Sequence, residues 1–319
     1  MSDREQFDVI IAGAGNAALT AAIAAKEQGA KVLVCEKAPK EKRGGNTYFT
    51  AGDFRVAYHN KQEALKYIPD LSQAEIDSLV IPDYNEDELF NDVMRVTGGM
   101  ADPDLLELII RRSISTVAWM VQQGLKWELS VSTSVRREGK LVFPQGIVLQ
   151  SKGGGAGLSD GLFEISQAKG IELRYETKVS NFLTDTKGSI YGIIIQDKDG
   201  FKEIRSKAVI LACGGFEANR AMRAQYLGKN WDIAKLRGTP YNTGDMLPVA
   251  LGLGAMPYGH YSGCHASPID AEAPDPMERS LTDQSSRYSY PYGIFVNVDG
   301  RRFLDEGEDT HVYSYSKYG

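Results

Sequence analysis

Residues 8–36 read DVIIAGAGNAALTAAIAAKEQGAKVLVCE, and this stretch decides the fold. Asp8 to Ala12 is a short, continuously apolar run, the pattern of a parallel strand buried on both faces. Gly13-Ala-Gly15-Asn-Ala-Ala18 follows, then an alanine-rich helix to about Gln28 that Gly29 ends. Lys31 to Cys35 is the next strand, and Glu36 stands at its tip. About thirty residues for strand, turn, helix and strand is the length of a β-α-β unit. Gly13 permits a tight turn, Gly15 lets the backbone approach a pyrophosphate, and Ala18 lets helix and strand pack closely. The helix N-terminus then presents free N–H groups and the positive end of its dipole to phosphates. Glu36 lies where a carboxylate accepts hydrogen bonds from ribose hydroxyls and disfavours a 2′-phosphate. In this frame the glycine pattern predicts a dinucleotide site.

Working outward, residues 40–60 hold a glycine-rich loop, RGGNTYFTAGDFR, and about 60–130 read as a polar helical insertion. Asp102-Pro103 opens one helix with a cap and a first-turn proline, and Gly124 closes it. Leu105, Leu106, Ile109, Val117, Met120 and Val121 are its expected apolar face. Residues 130–150 read as strands. Gly153–Gly157 lacks the Lys-Ser/Thr of a P-loop and reads as a helix-start turn beside the cofactor, the helix running to about Lys169. Ile171 to Tyr175 is a strand, and Ser189 to Asp197 enters a hairpin at Lys198-Asp199-Gly200. Ala208 to Cys213 is another continuously apolar strand, ended by Gly214-Gly215. Beyond about 238 the texture changes to Pro, Gly, Tyr and Ser, and a domain boundary is expected at 238–245.

Composition excludes several classes. The formal charge of −6 argues against nucleic acid and anionic membranes as partners, so an anionic substrate needs a locally positive pocket. No apolar run approaches the roughly 20 residues of a membrane helix. The polar start running into a strand predicts no secretory signal. Three cysteines, few and odd in number, fit a reducing, cytoplasmic setting, and Cys264-His265 lacks a second pair at metal-ligand spacing.

The segments 12–39, 43–58, 153–179, 211–246, 262–274 and 300–319 together resemble the fumarate reductase/succinate dehydrogenase flavoprotein superfamily. VILACGG at 209–215 is similar to the ATGG strand of flavoproteins, and RGGNT at 43–47 to the loop along the flavin ring. Within the superfamily the chain looks most like the tricarballylate dehydrogenases. The resemblance implies an α/β, doubly wound FAD domain (1–238) and an α+β capping domain (239–319, incomplete). It places FAD contacts on Gly13, Gly15, Asn16, Ala17, Ala18, Glu36, Lys37, Gly44, Gly45, Asn46, Thr47, Ala51, Gly52, Val179, Ala212 and Gly215. Membrane-bound relatives carry a histidine bonded covalently to FAD; Asn46 stands in its place, which implies non-covalent FAD.

The implied chemistry is a two-electron step across a C–C bond next to a carboxylate. A hydride is exchanged with flavin N5 and a proton is moved by a protein group, with Arg and His donors stabilising the carboxylate. His265 resembles the cap histidine that holds a substrate carboxylate; a structural histidine is the competing reading. His311 stands at or next to a position where relatives have an arginine that transfers the proton. Histidine suits proton transfer; equally, the departure implies altered or lost chemistry. Arg237 implies a carboxylate contact or a loop salt bridge. His59 and His260 read as surface or loop residues, and Arg301-Arg302 as partners of Asp305 and Glu306. Met246 replaces the glycine usual after TGD. The tyrosine run 288–292 leaves a 3-ketosteroid dehydrogenase-like reading open beside a fumarate reductase-like one. The chain stops inside what resembles the cap, which implies a fragment or an inactive truncated flavin-binding chain. A dehydrogenase of this kind needs an electron acceptor, plausibly an iron–sulfur partner protein.

Overall fold

The computed structural model describes residues 5–69, 71–264, 266–286 and 292–306. In chain order, strand β1 (Gln6–Ala12), helix α1 (Asn16–Glu27) and β2 (Val32–Cys35) form the opening unit. A helical turn at Gly45–Phe49 leads to β3 (Asp53–Phe54), α2 (Lys61–Leu65), α3 (Gln73–Ser78), β4 (Leu79–Val80), α4 (Glu86–Val96) and α5 (Pro103–Gln123). Short strands β5 (Trp127–Leu129), β6 (Val135–Arg137), β7 (Lys140–Val142) and β8 (Leu149–Ser151) precede α6 (Gly154–Ala168). Then come β9 (Glu172–Arg174), β10 (Lys178–Thr184), β11 (Ile190–Asp197), β12 (Gly200–Leu211), α7 (Arg220–Leu227) and α8 (Met246–Gly252).

The architecture is mixed α/β around one six-stranded sheet, in the order β10-β11-β12-β1-β2-β9. Strands β12, β1, β2 and β9 run parallel, and β10–β12 form an antiparallel meander. Side chains alternate across the sheet. Ile11, Val32 and Val34 face α1 and α6, meeting Ala18, Ala22, Ile23, Leu158 and Leu162. Ile10, Leu33 and Cys35 face the other way, against Val179, Phe182, Ile193, Ile195 and Met246. Continuously apolar strands are thus buried on both faces, with helices on one and the curled meander plus α8 on the other.

Both ends of α5 follow from sequence. Asp102 Oδ1 accepts from the Leu105 N–H at 2.7 Å, and Gly124 takes φ +110°. Its buried face is Leu106, Ile110, Val117 and Met120; Leu105, Ile109 and Val121 are exposed. The expected stripe is therefore too wide: only Leu106, Ile110, Val117 and Met120 join the buried core. Residues 208–211 do form a strand, but Ile210 and Leu211 are 36% and 39% exposed. The cause is register: β11 pairs with β12 only as far as Arg205, while β1 pairs with it to Leu211. Among the described residues, the second half of β12 has a partner strand on one edge only. No described helix is long and apolar enough to cross a membrane.

Candidate cofactor site

At the C-terminal end of β1 the chain turns through Gly13, whose φ is +100°. The Gly13 N–H donates to the Cys35 carbonyl at 2.8 Å, and the Ala212 N–H to the Ala12 carbonyl at 2.9 Å. A Cβ on Gly13 would sit 2.4 Å from the Ala212 oxygen. Glycine is required there by the approach of β12 as well as by the turn. Gly15 caps α1 without a side chain, and the first turn carries no acidic residue. Its free amides and dipole make this end attractive to anions. Thr47 Oγ1 accepts from the Asn16 N–H at 2.9 Å, tying α1 to the Gly45–Phe49 turn.

A cavity of about 220 Å³ opens at this point. Its lining includes Gly13, Gly15, Asn16, Ala17, Glu36, Lys37, Gly45, Asn46, Thr47, Val179 and Ala212, eleven of the sixteen residues expected to contact the cofactor. The other five do not line it. Ala18 is fully buried in α1. Gly44 takes φ +100° where a Cβ would meet Ser159 Oγ at 2.3 Å. The Ala51 carbonyl accepts from Gln150 Nε2 at 2.6 Å. Gly52 packs against Ser151 and the start of α6, and Gly215 against Glu217. The Gly153–Gly157 turn does start a helix: a Cβ on Gly155 would lie 2.3 Å from the Thr47 carbonyl, so it seats the flavin-side loop.

Glu36 is buried, and its Oε1 accepts from the Ala38 N–H at 2.8 Å. Burial pushes its carboxyl up, against the opposing backbone hydrogen bonds and the charge of Lys37. Lys37 Nζ donates to Thr243 Oγ1 and, at 2.9 Å, to Asp245 Oδ2; Lys178 Nζ lies 3.3 Å from the same carboxylate. Burial would raise Asp245, but the hydrogen bond and charge of Lys37, with Thr243 and Lys178, outweigh it and hold the carboxyl low. Burial pushes the Cys35 thiol up to about 12 and also raises Cys213. Both cysteines line the cavity as thiols and so do not supply a thiolate nucleophile.

The donor set fits a dinucleotide. The approach through Gly13 and Gly15 is open, the helix end is cationic in character, and Glu36 is an acceptor placed for hydroxyl donors. Among the described residues, Asn16 Oδ1 is buried without a partner, an acceptor available to a ligand donor. Thr177, Lys178, Cys213, Gly214 and the run Tyr241–Met246 also line the cavity and were not expected there. The TGD run at 243–245 was the available signal; its tie to Lys37 spans 208 residues and is visible only once the chain is folded. Met246 is buried and packs in the core on the second face of the sheet.

The chain matches the model of the FAD binding domain family over residues 8–317. It belongs to that family, and its cofactor is FAD. It is 28% identical over 307 residues to "Fumarate reductase (cytochrome)" of Shewanella frigidimarina, covering 95% of this chain and 48% of that protein. It is 28% identical over 327 residues to "Vinyl phenol reductase" of Lactiplantibacillus plantarum, covering 100% of this chain and 60% of the relative. The open conformation of a flavocytochrome c3 fumarate reductase superposes with a TM-score of 0.70 at 24% identity, covering 98% of this chain and 50% of that one. The chain spans about half the length of the curated relatives it matches.

On the flavin side, Asn46 Oδ1 accepts from the Thr239 N–H at 2.9 Å. Arg237 is half-buried, and its Nη1 donates to the Phe49 carbonyl at 3.1 Å. It makes no salt bridge among the described residues; its contact there is with a loop carbonyl. His265 and His311 lie outside the described residues, as do Tyr288 to Tyr290; Tyr292 is 85% exposed. His59 lies 3.5 Å from Glu86 at the surface, and His260 bonds to Ser262 in an exposed loop. Arg302 pairs with Glu306 and Asp305.

Proposed function

We propose that this FAD-binding chain serves an oxidoreductase that adds or removes hydrogen across a C–C bond next to a carboxylate, of the tricarballylate dehydrogenase type. Bound FAD supplies the two-electron acceptor or donor. The observation that carries the reading is the continuity of the cofactor cavity with the Asn46–Thr239 junction, beside which Arg237 is fixed with no acid partner among the described residues. A carboxylate brought there meets a guanidinium already held in place, so little ordering is lost on binding. The half-buried surroundings strengthen that attraction by excluding water.

Several relatives named as fumarate, acrylate and urocanate reductases support a substrate with a double bond conjugated to a carboxylate. In this reading residues 239–319 are part of a capping domain, His265 holds a carboxylate and His311 moves a proton. The flavin is held without a covalent bond. An iron–sulfur or cytochrome partner exchanges its electrons, and the setting is cytoplasmic. The test is an absorption titration of the FAD-loaded chain with tricarballylate, succinate and fumarate. Bleaching or a spectral shift with a di- or tricarboxylate supports the proposal. An inert spectrum with all three, in a chain that retains FAD, sinks it.

A further inference from the structure

Three guanidinium groups gather on one short loop. Arg43 precedes Gly44, where the loop begins, and Arg237 and Arg279 reach it from far along the chain. Arg237 Nη1 donates to the Phe49 carbonyl at 3.1 Å, and Arg279 Nη1 to the Arg43 carbonyl at 2.6 Å. The Arg279 guanidinium carbon also lies over Tyr48, 3.2 Å from the ring centroid. Arg43 lies over the Phe163 ring at 4.6 Å and reaches Asp160 at 3.4 Å. Among the described residues, the one ion pair these three groups make is Arg43 with Asp160, which is about half exposed. Neither Arg237 nor Arg279 has a carboxylate partner among the described residues. A protein of net charge −6 has carboxylates to spare, so this local excess calls for an explanation.

The anchoring is specific. Each of the two arginines places one N–H on a carbonyl of the loop, and Arg279 also engages Tyr48; a guanidinium has five N–H donors in all. Tyr48 and Phe49 stand edge to face, and Phe49 packs against Ala273 and Met277 of the segment that carries Arg279. The contact with Tyr48 and the bond to the Arg43 carbonyl restrain the Arg279 guanidinium, so less freedom is lost when a carboxylate pairs with it. Burial lowers the pKa of the Arg279 guanidinium, only partly offset by Tyr48 and the charge of Asp160, and an added anion would favour its charged form.

We infer that Arg279, together with Arg237, is the carboxylate-recognition pair of this protein, selecting substrates with two or more carboxylates. The inference rests on the carboxylate-substrate reading above. Residues 45–47 of the loop line the FAD cavity, while the carbonyls of Phe49 and Arg43 on either side of them accept from the arginine pair. One carboxylate is then held at the loop while a second group of the same molecule lies towards the cofactor.

The experiment is a set of dissociation constants for tricarballylate, succinate and propionate, read from the flavin difference spectrum of the FAD-loaded full chain. Wild type is compared with Arg279→Gln, Arg237→Gln and the surface control Arg111→Gln. Arg279→Gln is expected to raise the tricarballylate constant about 10- to 100-fold. The propionate constant and the FAD content should stay unchanged, and Arg111→Gln should match wild type. A merely structural Arg279 would lower the melting temperature without separating tricarboxylate from monocarboxylate; that result overturns the inference. Tricarballylate should also slow phenylglyoxal labelling of Arg279 in the wild-type chain, followed by peptide mass spectrometry, a readout that needs no folded variant. Unprotected labelling overturns the inference. Wild type that responds to the acids while Arg279→Gln responds equally overturns the inference alone; wild type silent to every acid overturns the functional reading and this one with it.

Discussion

Asn46 Oδ1 accepts a hydrogen bond from the backbone N–H of Thr239 at 2.9 Å, joining the flavin-side loop to a residue 193 positions later. Gly238 fits tightly beside the same oxygen: a Cβ there would be 2.4 Å from it. The Asn46 amide is therefore occupied in holding the chain, and an amide is in any case a poor nucleophile towards a flavin methyl group. All flavin should appear in the supernatant after acid precipitation of the loaded protein, with no fluorescent band on a denaturing gel. Asn46→Ala strands the donor of Thr239, which is 2% exposed, and should lower stability by about 1–3 kcal/mol. Flavin that stays with the acid pellet would contradict the non-covalent reading.

Gly13 offers a cleaner separation of two effects. Gly13 and Gly200 both take positive φ, +100° and +108°, but a Cβ on Gly200 meets nothing within 4 Å. Alanine at either position incurs backbone strain, and only at Gly13 does it also strike the Ala212 carbonyl. Gly13→Ala should be less stable than Gly200→Ala by roughly 1–3 kcal/mol and should lose FAD on gel filtration. Chemical denaturation of the two variants side by side gives the difference. Equal stabilities would show that β12 yields easily.

Much of this was legible in the chain because the first unit is locally encoded. Apolar runs, a glycine turn, an alanine-rich helix and an acid at the next strand tip act within thirty residues. The ends of α5 were legible for the same reason, since Asp102 and Gly124 work through neighbouring backbone. Strand β10 and helix α7 escaped notice because neither has a clean period: Asn181 interrupts the first beside a register shift, and Arg223 is the buried residue of the second. The exposed half of β12 carries the composition of a buried strand, so its exposure follows from which strands pair with it, a tertiary fact. The tie between Lys37 and Asp245, and the approach of Arg279 to Arg43, depend on partners more than two hundred residues apart, which no local pattern announces.

The Lys37–Asp245 pair makes a prediction about acid. The folded chain holds the Asp245 carboxyl below its ordinary value, so it binds that proton less tightly than the unfolded chain. The linked stability is present above the unfolded pKa of about 3.9 and disappears as pH falls through the lower folded value. Asp245→Asn should therefore melt below wild type at neutral pH, and the gap should close towards pH 3 (roughly, from the same linkage). Melting curves across that range decide it. A gap that widens in acid would mean Asp245 is not the charged partner of Lys37.

Glu36 should behave in the opposite sense. Its folded carboxyl is raised, chiefly by burial, so the folded chain binds the proton more tightly than the unfolded one. That contribution is complete below the unfolded pKa of about 4.3 and is lost as pH rises through the folded value. Ionising this buried carboxyl favours unfolding of the FAD-free chain. Glu36→Gln cannot ionise, so the melting temperature of the FAD-free variant relative to wild type should rise as pH increases. Affinity should move the other way. Ribose hydroxyls donate more strongly to a carboxylate than to an amide, and hydrogen bonds to a charged group contribute about 1.5–3 kcal/mol. Glu36→Gln should then weaken FAD binding by about 10- to 100-fold, measured by flavin fluorescence quenching. The two readouts together are diagnostic, because a residue needed only for packing would lose stability and affinity in step, whereas a ribose acceptor buried in advance of its ligand loses affinity alone.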